Sequence, residues 1–287
     1  MSEKLFIEYL RMLRNGTTES SSPQGIHFLA PDGPLAGRYV RTSDGHLDDR
    51  SGNLSPEELI WQPPRPSTAS RKPATRSKGS FHGAMVDPAE NRVKVFESYT
   101  LELGMAYILS ADHSVQQFED QPPPVTYVTQ EGRYRTHTFD FRATLCDGRR
   151  IAYALKPEGK VAPSGIETTL QLIRQQSLTG FADAAVVRTE KTVTKRAVHN
   201  ARTILWARRC RNARDVALAA EHAGRLNGAT RLQHLVQAIG LGPRGRVAVL
   251  CLIDERALSV ADTAWLDSNT LLYPASRGAA GPDYEKG

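Results

Sequence analysis

Apolar and polar residues alternate along Thr136–Leu145 and again along Arg149–Lys156, with Cys146-Asp147-Gly148 between the two runs. Period-two alternation on either side of a glycine-containing turn predicts two strands of a hairpin. If Gly148 takes the left-handed place of a three-residue loop, Leu145 faces Arg149, Asp140 faces Ala154 and Thr138 faces Lys156. Asp140 and Lys156 then share one face of the sheet; a two-residue loop would put them on opposite faces. Upstream, Val93–Leu109 reads as a strand edge passing into a helix that is apolar on most sides, and such a helix is buried. His113–Phe118 and Val125–Gln130 read as strands, the first ended by Gln121-Pro122-Pro123-Pro124, because proline removes ladder donors. Ile166–Gln176 has helical periodicity and Ala184–Val187 is a short apolar strand. Strands, helix, then a further strand predict an α/β fold, a mixed sheet flanked by helices.

From about Lys195 the periodicity turns helical, through TKRAVHNARTILWARRCRNAR, DVALAAEHAG and ATRLQHLVQAIG. GPRGRVAVLCLID then reads as an apolar strand entered by a glycine-rich turn, and SVADTAWLDSNTLLYP follows it. Three short helices followed by strands fit a small winged-helix-like module, a fold that binds DNA or protein. The expected organisation is an accessory region over 1–60, opening on a short amphipathic helix from Leu5 to Leu13, and a basic linker or arm over 61–80. A catalytic-sized α/β domain follows over 81–194, then the helical module over 195–275 and a disordered tail over 276–287.

A chain of 287 residues can bury two cores. Its net charge of +6 favours an anionic partner without choosing between nucleic acid and membrane. No apolar run approaches the ~20 residues of a membrane span. The first residues, MSEKLFIEYLRMLRNG, mix acids with periodic apolar positions, unlike a signal peptide. Three cysteines, odd in number and without metal-site spacing, argue against disulfides and structural zinc. A soluble, cytoplasmic protein is expected.

Charge narrows the partner. Residues 61–80 carry Arg65, Arg71, Lys72, Arg76 and Lys78 with no acid among them, in a context of proline, serine and threonine that cannot pack a core. Either this is a solvated linker or it lies along phosphates, where each contact releases counterions. A second basic run spans Arg188–Arg214 with Glu190 as its acid, and includes Arg202, Arg208 and Arg209. If the partner is DNA, the candidate contacts to its backbone are Arg71, Lys72, Arg76, Lys78, Arg202, Arg208 and Arg209.

Glu102, Asp140 and Lys156 stand where charge is awkward. Glu102 lies in the apolar helix, and no cation occupies its three- or four-residue neighbours Ser98, Tyr99, Met105 and Ala106. An acid on a helix, an acid on a strand and a lysine on the next strand suit metal-assisted phosphodiester hydrolysis. Carboxylates hold Mg²⁺, which also takes phosphate oxygens, and the lysine steadies the attacking oxygen or the developing charge. By itself this spacing is common.

The order and spacing of FESYTLELG, SVQQFEDQPPPVTYV, YRTHTFDF, DGRRIAYALKPEGK and VVRTEKTV with its arginine-rich helix add to it. Over roughly Arg71–Arg209 the chain resembles the TnsA-type endonuclease subunit of heteromeric transposases, a restriction-endonuclease-like fold. The resemblance implies that Glu102 and Asp140 hold Mg²⁺, for which Mn²⁺ substitutes, with the Leu155 backbone carbonyl as a further donor and Lys156 as the active-site lysine. It implies cleavage of one strand of double-stranded DNA at transposon ends, beside an integrase-like transposase subunit and an ATPase regulator subunit.

Two positions depart from the family pattern. Phe139 stands where proline is common, and Ala154 stands where Glu or Gln is common, removing a metal ligand. Glu167, at the start of the following helix, is the candidate replacement; it also suits a helix N-terminus on dipole grounds alone. Glu158 is a lesser candidate. Alternatives are a catalytically weakened nuclease fold that binds DNA or assembles partners, and a stand-alone nuclease.

Overall fold

The structure, a computed structural model, describes residues 38–41, 59–71, 83–261 and 263–274. The expected helix at Leu5–Leu13, the arm residues Lys72, Arg76 and Lys78, and the tail at 276–287 lie outside the described residues. The chain divides into two compact units between Val198 and His199. No described helix is long and apolar enough to cross a membrane.

The first unit is mixed α/β. Strand β1 (Arg38–Arg41) pairs antiparallel with β2 (Leu59–Gln62), and β3 (Gly83–Asp87) with β4 (Arg92–Phe96). Helix α1 (Glu102–Ala111) leads to β5 (Val115–Asp120), and the hairpin of β6 (Val125–Val128) and β7 (Tyr134–His137) follows. Then come β8 (Phe141–Leu145), β9 (Arg150–Leu155), α2 (Glu158–Ser164), α3 (Ile166–Gln176) and β10 (Ala184–Arg188). The main sheet has the order β10-β9-β8-β5, with β10 parallel to β9 and the other pairs antiparallel. Helix α3 covers it: Ile166, Leu170 and Ile173 share an apolar cluster with Ala152, Ala154, Phe139 and Ala185.

The β8–β9 hairpin has the expected odd loop. Phe141 pairs with Tyr153 and Thr144 with Arg150, Leu145 N–H donates to Arg149 O at 2.8 Å, and Gly148 has φ of 87°. Gly148 supplies a left-handed conformation that a side chain would penalise. The ladder stops at Phe141, and Asp140 stands one residue beyond it, its N–H donating to Tyr153 O at 2.9 Å.

Residues 63–71, expected as a solvated linker or arm, are instead strapped onto the first unit. Arg65 N–H donates to Asn91 O and Val93 N–H to Arg65 O, so the strap pairs with β4. Ser67 Oγ donates to Asp120 Oδ2 at 2.6 Å, and Ser70 donates to Gln121 O through both N–H and Oγ. Below it Lys94, fully buried, donates to Phe118 O and Glu90 and lies over the Phe118 ring, while Asp120 Oδ2 also receives Val95 N–H. Hydroxyls and backbone groups hold this region together, which is why a segment almost free of apolar side chains packs at all.

The second unit is helical with a small sheet. Helix α4 (Lys195–Arg209) runs across the division, followed by α5 (Ala213–Ala223), β11 (Thr230–Arg231), α6 (Leu232–Ile239), α7 (Pro243–Asp254), β12 (Leu258–Val260) and β13 (Leu271–Pro274). The sheet order is β11-β13-β12, antiparallel throughout. The GPRGRVAVLCLID segment, expected as a strand, is helix α7. Its residues from Val247 to Leu252 are all buried, so it carries apolar groups on every face and its hydropathy has no period to read. Pro243, tolerated in a first helical turn, opens it.

Candidate metal and nuclease site

Glu102 is the first residue of α1, and the turn before that helix folds back on it. Leu103 N–H donates to Ser98 O at 3.1 Å, and Glu97 N–H donates to Glu102 Oε2 at 2.7 Å. Gly104 lets the helix sit close to its neighbours, since a Cβ there would fall 2.8 Å from side-chain carbons of Val193 and Val198. Glu102 is thereby buried with one backbone donor and the helix N-terminus for company.

Asp140 is held from three sides by backbone. Its N–H donates to Tyr153 O, its carbonyl accepts from Gln121 N–H at 2.9 Å, and its Oδ2 accepts from Leu155 N–H at 2.6 Å. Leu155 therefore serves Asp140 through its N–H. Lys156 follows on the same strand end, anchored by its own N–H on Arg188 O at 3.1 Å. Its half-buried side chain makes no hydrogen bond or ion pair among the described residues.

The electrostatics bring these groups together. Burial pushes the Asp140 carboxyl up to about 6, against the Leu155 N–H and the positive charges of Lys156 and Arg71. Burial pushes Glu102 up to about 7, and the charge of Asp140 adds to the rise. Asp140, with the lower value, ionises first, and Glu102 then bears the repulsion. The two acids thus share one field with Lys156 at its edge.

Sequence reasoning passes over Glu97 and His137 here, and gives Arg71 a different role. Glu97 and Arg71 form an ion pair at 2.6 Å, and the charges of both are felt at Glu102 and at Asp140. Arg71 had been read as a DNA contact on a loose arm; the strap delivers it to the acids. His137, at the end of β7, has its Nε2 buried without a partner, its ring edge-on to Phe139. Burial and then the Lys156 charge push its pKa down to about 4, so it is a neutral group beside the lysine. Its signal in the sequence was absent, because one histidine in an alternating strand looks like any other.

Other predicted residues fall elsewhere. Glu167 is exposed in the first turn of α3. Glu158 pairs with Lys191 at 2.5 Å on the surface. Arg208 grips Asp254 with two bonds, at 2.7 and 2.8 Å, tying α4 to α7; Arg202 is exposed and Arg209 half-buried on the same helix.

The donor set fits a hard divalent cation in part. Glu102 and Asp140 each give one oxygen to a backbone N–H and keep the other without a hydrogen-bond partner among the described residues. Hard cations take such carboxylate oxygens together with water and phosphate. No group of three or more His, Cys, Asp or Glu among the described residues is close enough to hold a metal ion. Comparison with known protein families gives no match, and no curated protein matches the chain.

Proposed function

We propose that the chain is a divalent-metal-dependent DNA endonuclease with a restriction-endonuclease-like first unit, working as the strand-cutting subunit of a heteromeric transposase. One observation carries the reading: a buried glutamate at a helix start and a half-buried aspartate at a strand end share a field beside a lysine that has no partner among the described residues. Buried charge left uncompensated costs stability and clusters at functional sites. The transposase assignment rests on the resemblance of Arg71–Arg209 to TnsA-type subunits.

Glu102 and Asp140 would hold Mg²⁺ or Mn²⁺, which when bound polarises the phosphodiester and lowers the pKa of water. The Glu97 and Leu155 N–H groups each hold one oxygen of the two carboxylates, which limits the reorganisation needed when charge builds nearby. Lys156, uncommitted, stabilises negative charge as it builds on the scissile phosphate. The arm and Arg202 and Arg209 would position the DNA backbone without reading bases. The second unit's order of helix, strand, two helices and two strands, with the sheet β11-β13-β12, supports a winged-helix-like reading, in which α7 would occupy the reading-helix place. That helix is buried from Val247 to Leu252 and tied to α4 through Arg208–Asp254, which favours protein docking over groove insertion.

The test is nicking of supercoiled DNA bearing a transposon end, with the integrase-like subunit present and Mg²⁺ or Mn²⁺ titrated. The wild type should nick, and Asp140→Asn should not. Equal nicking by both proteins would overturn the site. A second reading, a nuclease fold retained as a DNA-binding or assembly subunit, is favoured by Ala154, whose side chain is fully buried in an apolar cluster. Its outcome in the same assay is silence from both proteins alongside intact DNA binding.

A further inference from the structure

The β6–β7 ribbon has two unlike faces. In its register Val125 faces His137 and Tyr127 faces Arg135, while Thr126 faces Thr136 and Val128 faces Tyr134. Opposed residues share a face, so the first four lie on one side of the ribbon and the second four on the other. Val125 and Tyr127 pack into the apolar cluster with α3. On the other side Thr126, Thr136 and Tyr134 are exposed. Tyr134, at 79%, is the most exposed large apolar side chain among the described residues.

A two-stranded hairpin alone is marginal in water, and this one is braced from outside its own ladder. Gln176 of α3 closes the outer edge of β6 with both ends of its amide: Val128 N–H donates to Oε1 at 2.8 Å, and Nε2 donates to Val128 O at 3.0 Å. Thr129 N–H donates to Arg133 O and Gly132 N–H to Thr129 O, which closes the tip. Strand β7 pairs with β6 alone among the described strands. Arg133 and Arg135 are exposed and make no hydrogen bond or ion pair among the described residues. Glu131, the acid at the tip, is held by the Thr129 hydroxyl and feels the Arg135 charge. A rigid ribbon with bare hydroxyls and two uncommitted guanidiniums suits a grooved polyanion better than an apolar protein surface.

We propose that the β6–β7 ribbon enters the major groove of duplex DNA, with Thr126, Thr136 and Tyr134 toward the base edges and Arg133 and Arg135 on the flanking phosphates. This rests on DNA as the partner in the reading above and adds a groove contact to it. The major groove, about 12 Å wide, admits a two-stranded ribbon. Hydroxyls serve base donors and acceptors alike, and a guanidinium forks onto a phosphate. Chain continuity sets the place: β7 ends three residues before Asp140, and Arg133 stands seven before it. At about 3.3 Å per residue the Arg133 Cα lies at most about 23 Å from that of Asp140. The ribbon therefore meets the duplex within one helical turn, about 34 Å, of the phosphate being cut.

Fluorescence anisotropy of the full chain on a labelled linear duplex, titrated with salt and without divalent cation, tests this apart from cleavage. Replacing both arginines, Arg133→Ala with Arg135→Ala, should flatten the slope of log K against log salt by about two, since each phosphate contact contributes about 0.9; at about 0.1 M salt that amounts to about 60-fold in affinity. Tyr134→Ala, which removes no charge, should weaken binding and leave the slope as it is. Arg149→Ala, an exposed arginine already paired with Asp147, should change neither. A wild-type slope in the double variant would overturn the phosphate contacts, and wild-type affinity in Tyr134→Ala would overturn groove entry. An equal loss in Arg149→Ala would show that any surface arginine serves, and would overturn the ribbon as the contact. Failure here, with nicking present in the wild type and lost in Asp140→Asn, leaves the nuclease reading standing. Weakened binding in the double variant beside a wild type that never nicks keeps the ribbon and removes the nuclease.

Discussion

Glu102 and Asp215 are both buried acids in the first turn of a helix, one in each unit. Both gain from the positive end of the helix dipole. Asp215 is answered by a full opposite charge, since Arg244 bonds it twice, at 2.8 and 2.5 Å, and Asn212 caps the same turn. Glu102 is answered by one peptide N–H and faces the charge of Asp140. The same contrast holds more widely: in the second unit Arg208 meets Asp254 and Arg211 meets Glu255, whereas Lys156 in the first is without a described partner. Charge that has been paired off within the chain is architecture. Charge kept buried and under-compensated is stability given up, and it persists where something outside the chain supplies the missing partner.

Replacing a member of each set should break or sharpen that contrast most strongly. Lys156→Met should lower the nicking rate about 10²–10³-fold, the scale of losing one group that stabilises transition-state charge. Asp215→Asn should leave the rate per folded molecule unchanged, because its partner is internal. Comparable losses from both, in initial rates at saturating Mg²⁺ normalised to folded protein, would erase the distinction.

The next effect is in pH dependence. Glu102 and Asp140 have folded-state values above their unfolded ones, so the native chain binds more protons than the unfolded chain between about pH 4 and 7. Stability of the metal-free protein should therefore fall as pH rises through that window, by at most about 3 kcal/mol for Glu102 at about 1.4 kcal/mol per unit. Urea unfolding of wild type and Glu102→Gln checks it: the variant should lose about half of the slope, Asp140 keeping the rest, and saturating Mg²⁺ should stabilise more at pH 7.5 than at pH 5.5. A wild-type slope in Glu102→Gln would mean that the acid is not held under-compensated. Smaller again, Ala154→Gln should cost about 1–3 kcal/mol, the price of a buried amide without partners, and bring no gain in metal affinity.

What could be read from the sequence was whatever depends on period and parity. The β8–β9 register from Phe141 to Leu145 followed from an odd loop with glycine in the left-handed place, whereas the expected pairs Asp140 with Ala154 and Thr138 with Lys156 lie beyond the ladder; Ile166–Gln176 is a helix over the expected residues. Helix α7 was misread because an all-round apolar run looks alike as buried helix and buried strand; its length of 12 residues and Pro243 in its first turn were the deciding signs. The strap at 63–71 was invisible for the opposite reason: Ser67, Ser70 and backbone groups hold it, and hydropathy records none of these. Glu97 was missed because helical spacing looks three and four residues away, and it lies five before Glu102 across a turn that only the fold closes. The strap and Glu97 share a cause: both are placed by contacts in which peptide groups, carried alike by every residue, take part.

The smallest test separates ion pairs within the second unit. Arg211 and Glu255 are 44% and 41% exposed, whereas Arg208 and Asp254 are 29% and 10% exposed and share a two-bond fork. Water screens the first pair, and holding two long side chains together opposes the gain, so Glu255→Gln should cost under about 1 kcal/mol and less still in high salt. Asp254→Asn should cost about 1.5–3 kcal/mol, the range of hydrogen bonds to charged groups, and keep most of that cost in salt. Urea midpoints at low and high ionic strength measure both. If Glu255→Gln costs as much as Asp254→Asn, then exposure is not what grades these pairs, and pairing as the mark of architecture loses its physical basis in this unit.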